Sequence, residues 1–153
     1  GGGLECRHMA HAGFDGRAFT WGMTFKTATA EECCAACAAH RAACAAPGTA
    51  GKRFFETSLG VAGRCGKAAL GCNVFVFCPE AECFSNDVWP HARGECWLKH
   101  TPDPTRPRAP ALGPYPPSYR AKHKTAPPVV QWASGALLQP GQALRADGPH
   151  WKY

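Results

Sequence analysis

A chain of 153 residues has room for one domain and a tail, and its ten cysteines approach the density of small scaffolds stapled by disulfides. The net charge is +6, and no apolar run approaches the length of a membrane span, so no segment is expected to cross a bilayer. The opening GGGLECRHMA lacks the basic start and apolar stretch of a signal peptide, so a secreted chain is expected here in mature or excised form.

Near the start, His8 and His11 form an H-x-x-H in a glycine-flanked stretch without regular pattern. The stretch AFTWGMTF, 18 to 25, reads as a strand. Thr29 then suits the cap of a helix whose first turn carries Glu31 and Glu32, where carboxylates meet the positive end of the dipole. Ala35, Ala36, Ala38 and Ala39 favour that helix, which is expected to run to about Ala43, ahead of Pro47 and Gly48. On it Cys33 and Cys37 share a face, while Cys34 points about 100° away. Cys34-x-x-Cys37 could be half of a zinc site, but no second C-x-x-C occurs among the later cysteines, so disulfides are expected and no metal. CNVFVFC, 72 to 78, alternates and is rich in β-branched and aromatic residues, and GECWLKH, 94 to 100, is a further strand. A helix with short antiparallel strands, tied by disulfides, is an α+β arrangement with the helix on one sheet face.

These residues carry a resemblance. The helix with C-x-x-x-C, the strand C-N-V-F-V-F-C and the strand C-W-L-K-H together resemble the PAN/apple domain family, and GLECRHMAHAGFDG resembles the start of PAN-like modules in plant and algal extracellular proteins. The doubled Cys33-Cys34 and the later W-A-S-G at Trp132 to Gly135 are similar to features of those modules. The resemblance covers roughly residues 4 to 100. It implies a disulfide-rich PAN/apple-like domain, with an antiparallel sheet and one packed helix, and the pairs Cys37–Cys72 and Cys33–Cys96. Cys78 and Cys83 bracket a short loop, and Cys44 and Cys65 bracket what looks like an insertion. Pairing each couple leaves Cys6 for Cys34, and these three assignments can be permuted.

Beyond the domain at 1–100 the composition shifts. Residues 101–128 are rich in proline and poor in large aliphatics, and are expected to form an extended, polyproline-like linker without regular structure. Residues 129–153 are expected to return as a strand that docks on a PAN core. Lys99, Arg106, Arg108, Arg120, Lys122 and Lys124 stand against Asp103 alone between 99 and 124, so the positive charge concentrates there. A nucleic acid partner is not expected for a disulfide scaffold. An anionic polysaccharide held by Arg120, Lys122 and Lys124, and charges that simply solubilise an extended segment, both remain open.

Neither G-x-S-x-G, H-E-x-x-H nor a phosphate-binding glycine loop occurs, and Cys37 beside His40 is better explained as half a disulfide, so no catalytic residue and no cofactor are expected. Glu80 and Glu82 read as surface charges. The proline-rich stretch has too little apolar surface to order itself, so neighbouring subunits are expected to supply surfaces for Tyr115, Tyr119 and Trp151. Trp89 is either half-buried beside Pro90 or an anchor of the same contact. The PAN/apple resemblance implies a secreted or cell-surface module. Its partners would be other protein subunits of an extracellular assembly, or glycans and glycoproteins.

Overall fold

The structure, a computed structural model, describes residues 3–54, 62–67 and 70–152. In chain order the elements are β1 (Glu5–Ala10), β2 (Ala12–Gly13), β3 (Arg17–Ala18), α1 (Ala30–Cys44), β4 (Arg53–Phe54) and β5 (Gly63–Arg64). There follow β6 (Val74–Phe77), β7 (Cys96–His100), β8 (Ala111–Leu112), α2 (Pro117–Lys122) and β9 (Ala133–Leu138).

Helix α1 starts where the sequence supplies a reciprocal cap. The Thr29 hydroxyl accepts the Glu32 N–H at 3.1 Å, and the Glu32 carboxylate reaches back to the Ala28 N–H at 2.9 Å. Its buried face carries Cys33, Cys34, Cys37, His40 and Cys44. Five strands form an antiparallel sheet in the order β1-β9-β6-β7-β3, so the last strand in sequence lies between the first strand and β6. Gly135 allows this: a Cβ there would run into the Phe75 ring on β6. His8 lies within β1, so the stretch around it is regular.

Alternation gives the sheet two faces. Phe75, Phe77, Leu98 and Leu137 point to α1, and Val74, Val76, Ala136 and Leu138 point the other way. The ten cysteines form Cys6–Cys34, Cys33–Cys96, Cys37–Cys72, Cys44–Cys65 and Cys78–Cys83. The first three tie α1 to β1, to β7 and to Cys72, two positions ahead of β6. The result is a small disulfide-rich α+β domain with one main helix.

Two expectations need correction. The stretch 18–25 is a strand only at its start. After Ala18 it turns, with the Thr24 N–H bonded to the Trp21 carbonyl at 2.9 Å, because Gly22 lies flat against the Trp97 indole and a Cβ there would enter the ring. Residues 101–128 are neither structureless nor a free linker, since they contain β8 and α2 and cover the second face of the sheet. Pro117 at the first helical turn starts α2. The segment is paired with the C-terminal stretch, whose Asp147 carbonyl accepts the Ala109 N–H at 2.8 Å and whose Asp147 N–H bonds Pro107 at 2.8 Å. Buried Asn73 fixes its beginning, bonding the Thr101 carbonyl at 2.8 Å and the Thr101 N–H at 2.9 Å. Proline brings no N–H to satisfy, so a proline-rich segment lies across a sheet face without leaving unpaired donors.

Candidate functional site: an aromatic cleft between sheet and cover

The cover does not close completely on the sheet. It leaves an open cleft of about 400 Å³. The sheet side is formed by Val76 of β6 and by Trp97 and Lys99, which alternate to the same face of β7. Trp132, just ahead of β9, adds a second indole. The cover contributes Tyr115 and Tyr119, and the C-terminal stretch contributes His150 and Trp151. Asp15, Asn86 and Asp87 supply polar groups.

The rings brace one another. Tyr115 and Tyr119 stack with centroids 5.1 Å apart, and Trp151 lies 5.2 and 5.3 Å from them. Phe84 meets Tyr115 edge-on at 5.6 Å. The wall formed by residues 84–87 is pinned to the approach to β9. The Trp132 indole donates to the Phe84 carbonyl at 2.8 Å, and the Gln131 side chain accepts the Phe84 N–H at 2.8 Å.

Behind this wall His91 is held between two carboxylates. Its Nδ1 faces Glu95 at 2.7 Å and its Nε2 faces Asp87 at 2.9 Å. Fully buried Glu95 also accepts the Ala92 N–H at 2.7 Å and the Trp97 indole at 3.2 Å. Burial works against a charged imidazole, but the hydrogen bonds and negative charge of Glu95 and Asp87 outweigh it and raise the His91 pKa. An imidazolium donating from both nitrogens fits this place. Lys99 donates to the Phe14 carbonyl at 3.0 Å, and desolvation lowers its pKa against the opposing pull of Asp15. Burial raises the Tyr115 phenol, helped by Tyr119, and also raises Tyr119.

The structure sorts the residues singled out from the sequence. It brings Tyr115, Tyr119 and Trp151 together in the cleft. The chain itself supplies their surfaces, which corrects the expectation that neighbouring subunits do so: both tyrosines are 5% exposed and belong to the core. Arg120, Lys122 and Lys124 lie on or just after α2, exposed and outside the cleft, with the Arg120 Nε donating to Ala126 at 3.3 Å. Trp89 is 54% exposed beside Val88, on the loop that continues from Asp87. Cys37 is bonded to Cys72, and buried His40 uses one nitrogen on the Arg64 carbonyl and the other on the Cys72 N–H. Trp97, Asp87 and His91 carry no expectation from the sequence, while Trp132 enters there only through the W-A-S-G motif and Lys99 only through the basic stretch. The i, i+2 spacing of Trp97 and Lys99 was the available signal, as was the i, i+4 spacing of Asp87, His91 and Glu95.

No family model, no curated protein and no solved structure matches the chain.

Proposed function

We propose that the chain is a non-catalytic, extracellular PAN/apple-like module that binds carbohydrate in the aromatic cleft. The observation that carries this reading is the cleft itself, where indole and phenol rings stand beside Asp15, Asn86 and Asp87 in an open, pre-braced site. Sugar rings offer apolar faces to aromatic plates and hydroxyls to carboxylates and amides, and a site of this composition suits both. Five disulfides support an oxidising compartment. Among the described residues no helix is long and apolar enough to cross a membrane. The PAN/apple-like reading is supported by a helix whose Cys33 and Cys37 staple it to the sheet. Both His91 nitrogens are engaged by carboxylates, which favours binding over proton-transfer chemistry.

Titration with neutral gluco-, manno-, galacto- and chito-oligosaccharides, followed by tryptophan fluorescence, tests this reading. Saturable binding to one of the series is expected, weakened at least tenfold in Trp151→Ala. Absence of binding across the panel, or binding indifferent to Trp151, overturns it. Protein contact retains one observation of its own, the exposed pair Val88 (88%) and Trp89 (54%) at the edge of the cleft wall. If that pair mediates assembly, Val88→Ser/Trp89→Ser lowers the native mass and leaves sugar binding intact.

A further inference from the structure

A second concavity, which shares no lining residue with the cleft, lies at the β3 edge of the sheet. It measures about 790 Å³ and is bounded by β3, by the turn that follows it, and by the β4–β5 hairpin. Its charged lining residues are Arg17, Arg53, Arg64 and Lys67, and among the described residues that line it there is no carboxylate. The aromatic cleft, by contrast, carries both signs.

The fold concentrates these charges. Arg53 and Arg64 are register partners in the β4–β5 pair, which places both at the border of the concavity. The hairpin is held against β3's continuation, where the Arg64 N–H bonds the Phe19 carbonyl at 3.2 Å, and at its base by Cys44–Cys65. Gly63, at φ 84, has no Cβ to collide with that same carbonyl, so the approach is close. Among the described residues none of Arg17, Arg64 and Lys67 has a carboxylate within ion-pair distance. Phe19, Phe25 and the half-exposed Trp21 line the same concavity, so cationic and aromatic side chains share one lining.

We propose that this groove binds an oligoanionic glycan, with sulfate or carboxylate groups on Arg17, Arg64 and Lys67 and a sugar face on Trp21. Guanidinium groups match both oxyanions in a fork geometry, and an exposed indole matches a pyranose face. The hairpin belongs to the stretch between α1 and β6 that reads as an insertion, so the site is an addition to the helix-and-sheet core. It shares no lining residue with the aromatic cleft, and the two meet where Trp21 packs edge-on against Trp97 at 5.3 Å.

The test is retention and titration of the intact oxidised chain with three probes of matched length: dextran sulfate, oligogalacturonate and unmodified dextran. Salt-sensitive binding of one or both anionic probes, and none of dextran, is expected, and the two anionic arms separate sulfate from carboxylate recognition. Arg17→Ser/Arg64→Ser/Lys67→Ser should weaken it roughly tenfold to a hundredfold at low salt, taking three exposed pairs at their usual strength. Arg120→Ser/Lys122→Ser/Lys124→Ser removes the same charge elsewhere and should leave the affinity unchanged. Equal loss in both triple variants means net charge alone is responsible and overturns the site. Equal affinity for a DNA oligonucleotide of matched charge overturns the glycan assignment, and failure of both anionic probes overturns the proposal. Trp151→Ala, which disables the cleft, should have no effect on these probes.

Discussion

On one face of the sheet, Cys33, Cys34 and Cys37 bond α1 covalently to β7, β1 and the residue two positions ahead of β6. On the other, a proline-rich cover without cysteines is held by stacked rings and a few backbone hydrogen bonds, and Cys78–Cys83, which packs into the same cluster, closes a local loop between β6 and β7. The aromatic cleft lies on the second face. A cross-linked face can dispense with large side chains, and α1 is accordingly built mostly from alanine and cystine. A face held by aromatic side chains keeps them available at its borders for a ligand. Stapling and recognition are thus divided between the two sides of one sheet.

Removing residues 129–153 should collapse this comparison entirely. It takes β9 from between β1 and β6, so both faces lose their floor. The expected outcome is loss of the cooperative thermal transition by circular dichroism. Next in size is the stapled face. Cys33→Ala/Cys96→Ala opens a link spanning 63 residues and should cost about 4 kcal/mol in denaturant unfolding. The local link Cys78–Cys83 spans five and should cost about 2 kcal/mol when both cysteines become alanine. Between them falls the cover face, where Tyr119→Ala removes a buried ring that stacks on Tyr115 and should cost about 3 kcal/mol. That loss should be read by proteolysis in residues 101–128 while the α1 disulfides stay intact.

A smaller effect separates the faces by pH. The folded state raises the His91 pKa above its ordinary 6.5, so it binds a proton more tightly than the unfolded chain. The stabilisation is therefore complete below pH 6.5 and is lost as pH rises through the folded value. Melting temperature should fall across that range, and His91→Gln should flatten this part of the profile. Smallest of all, Arg120→Ser/Lys122→Ser/Lys124→Ser should shift stability by less than about 0.5 kcal/mol, because these side chains are exposed.

The stapled face was readable from the chain because its determinants are local. Thr29, the two glutamates and the alanines define α1, and cysteines three and four apart define which way it faces. The sheet was partly readable. Residues 74–77 are a short β-branched and aromatic run and 96–100 alternate, but 18–25 has strand composition and is broken by Gly22, whose need to lie against Trp97 is a tertiary matter. The cover was misread because proline content describes the backbone and not the packing. Tyr115 and Tyr119, four apart in an otherwise small-residue segment, mark a buried edge that composition averages away. The cleft could not be assembled from sequence, since Trp97, Trp132 and Tyr119 converge from three separate stretches.

The position of β9 also governs the order of assembly. Strand β1 has no other partner in the sheet, and β6 keeps one edge open until Ala133–Leu138 arrives. During synthesis, more than a hundred residues must follow β1 before that strand can enter. Cys6–Cys34 does not need β9 and can tether β1 to the helix in the meantime, keeping the first strand near the gap that the last one fills.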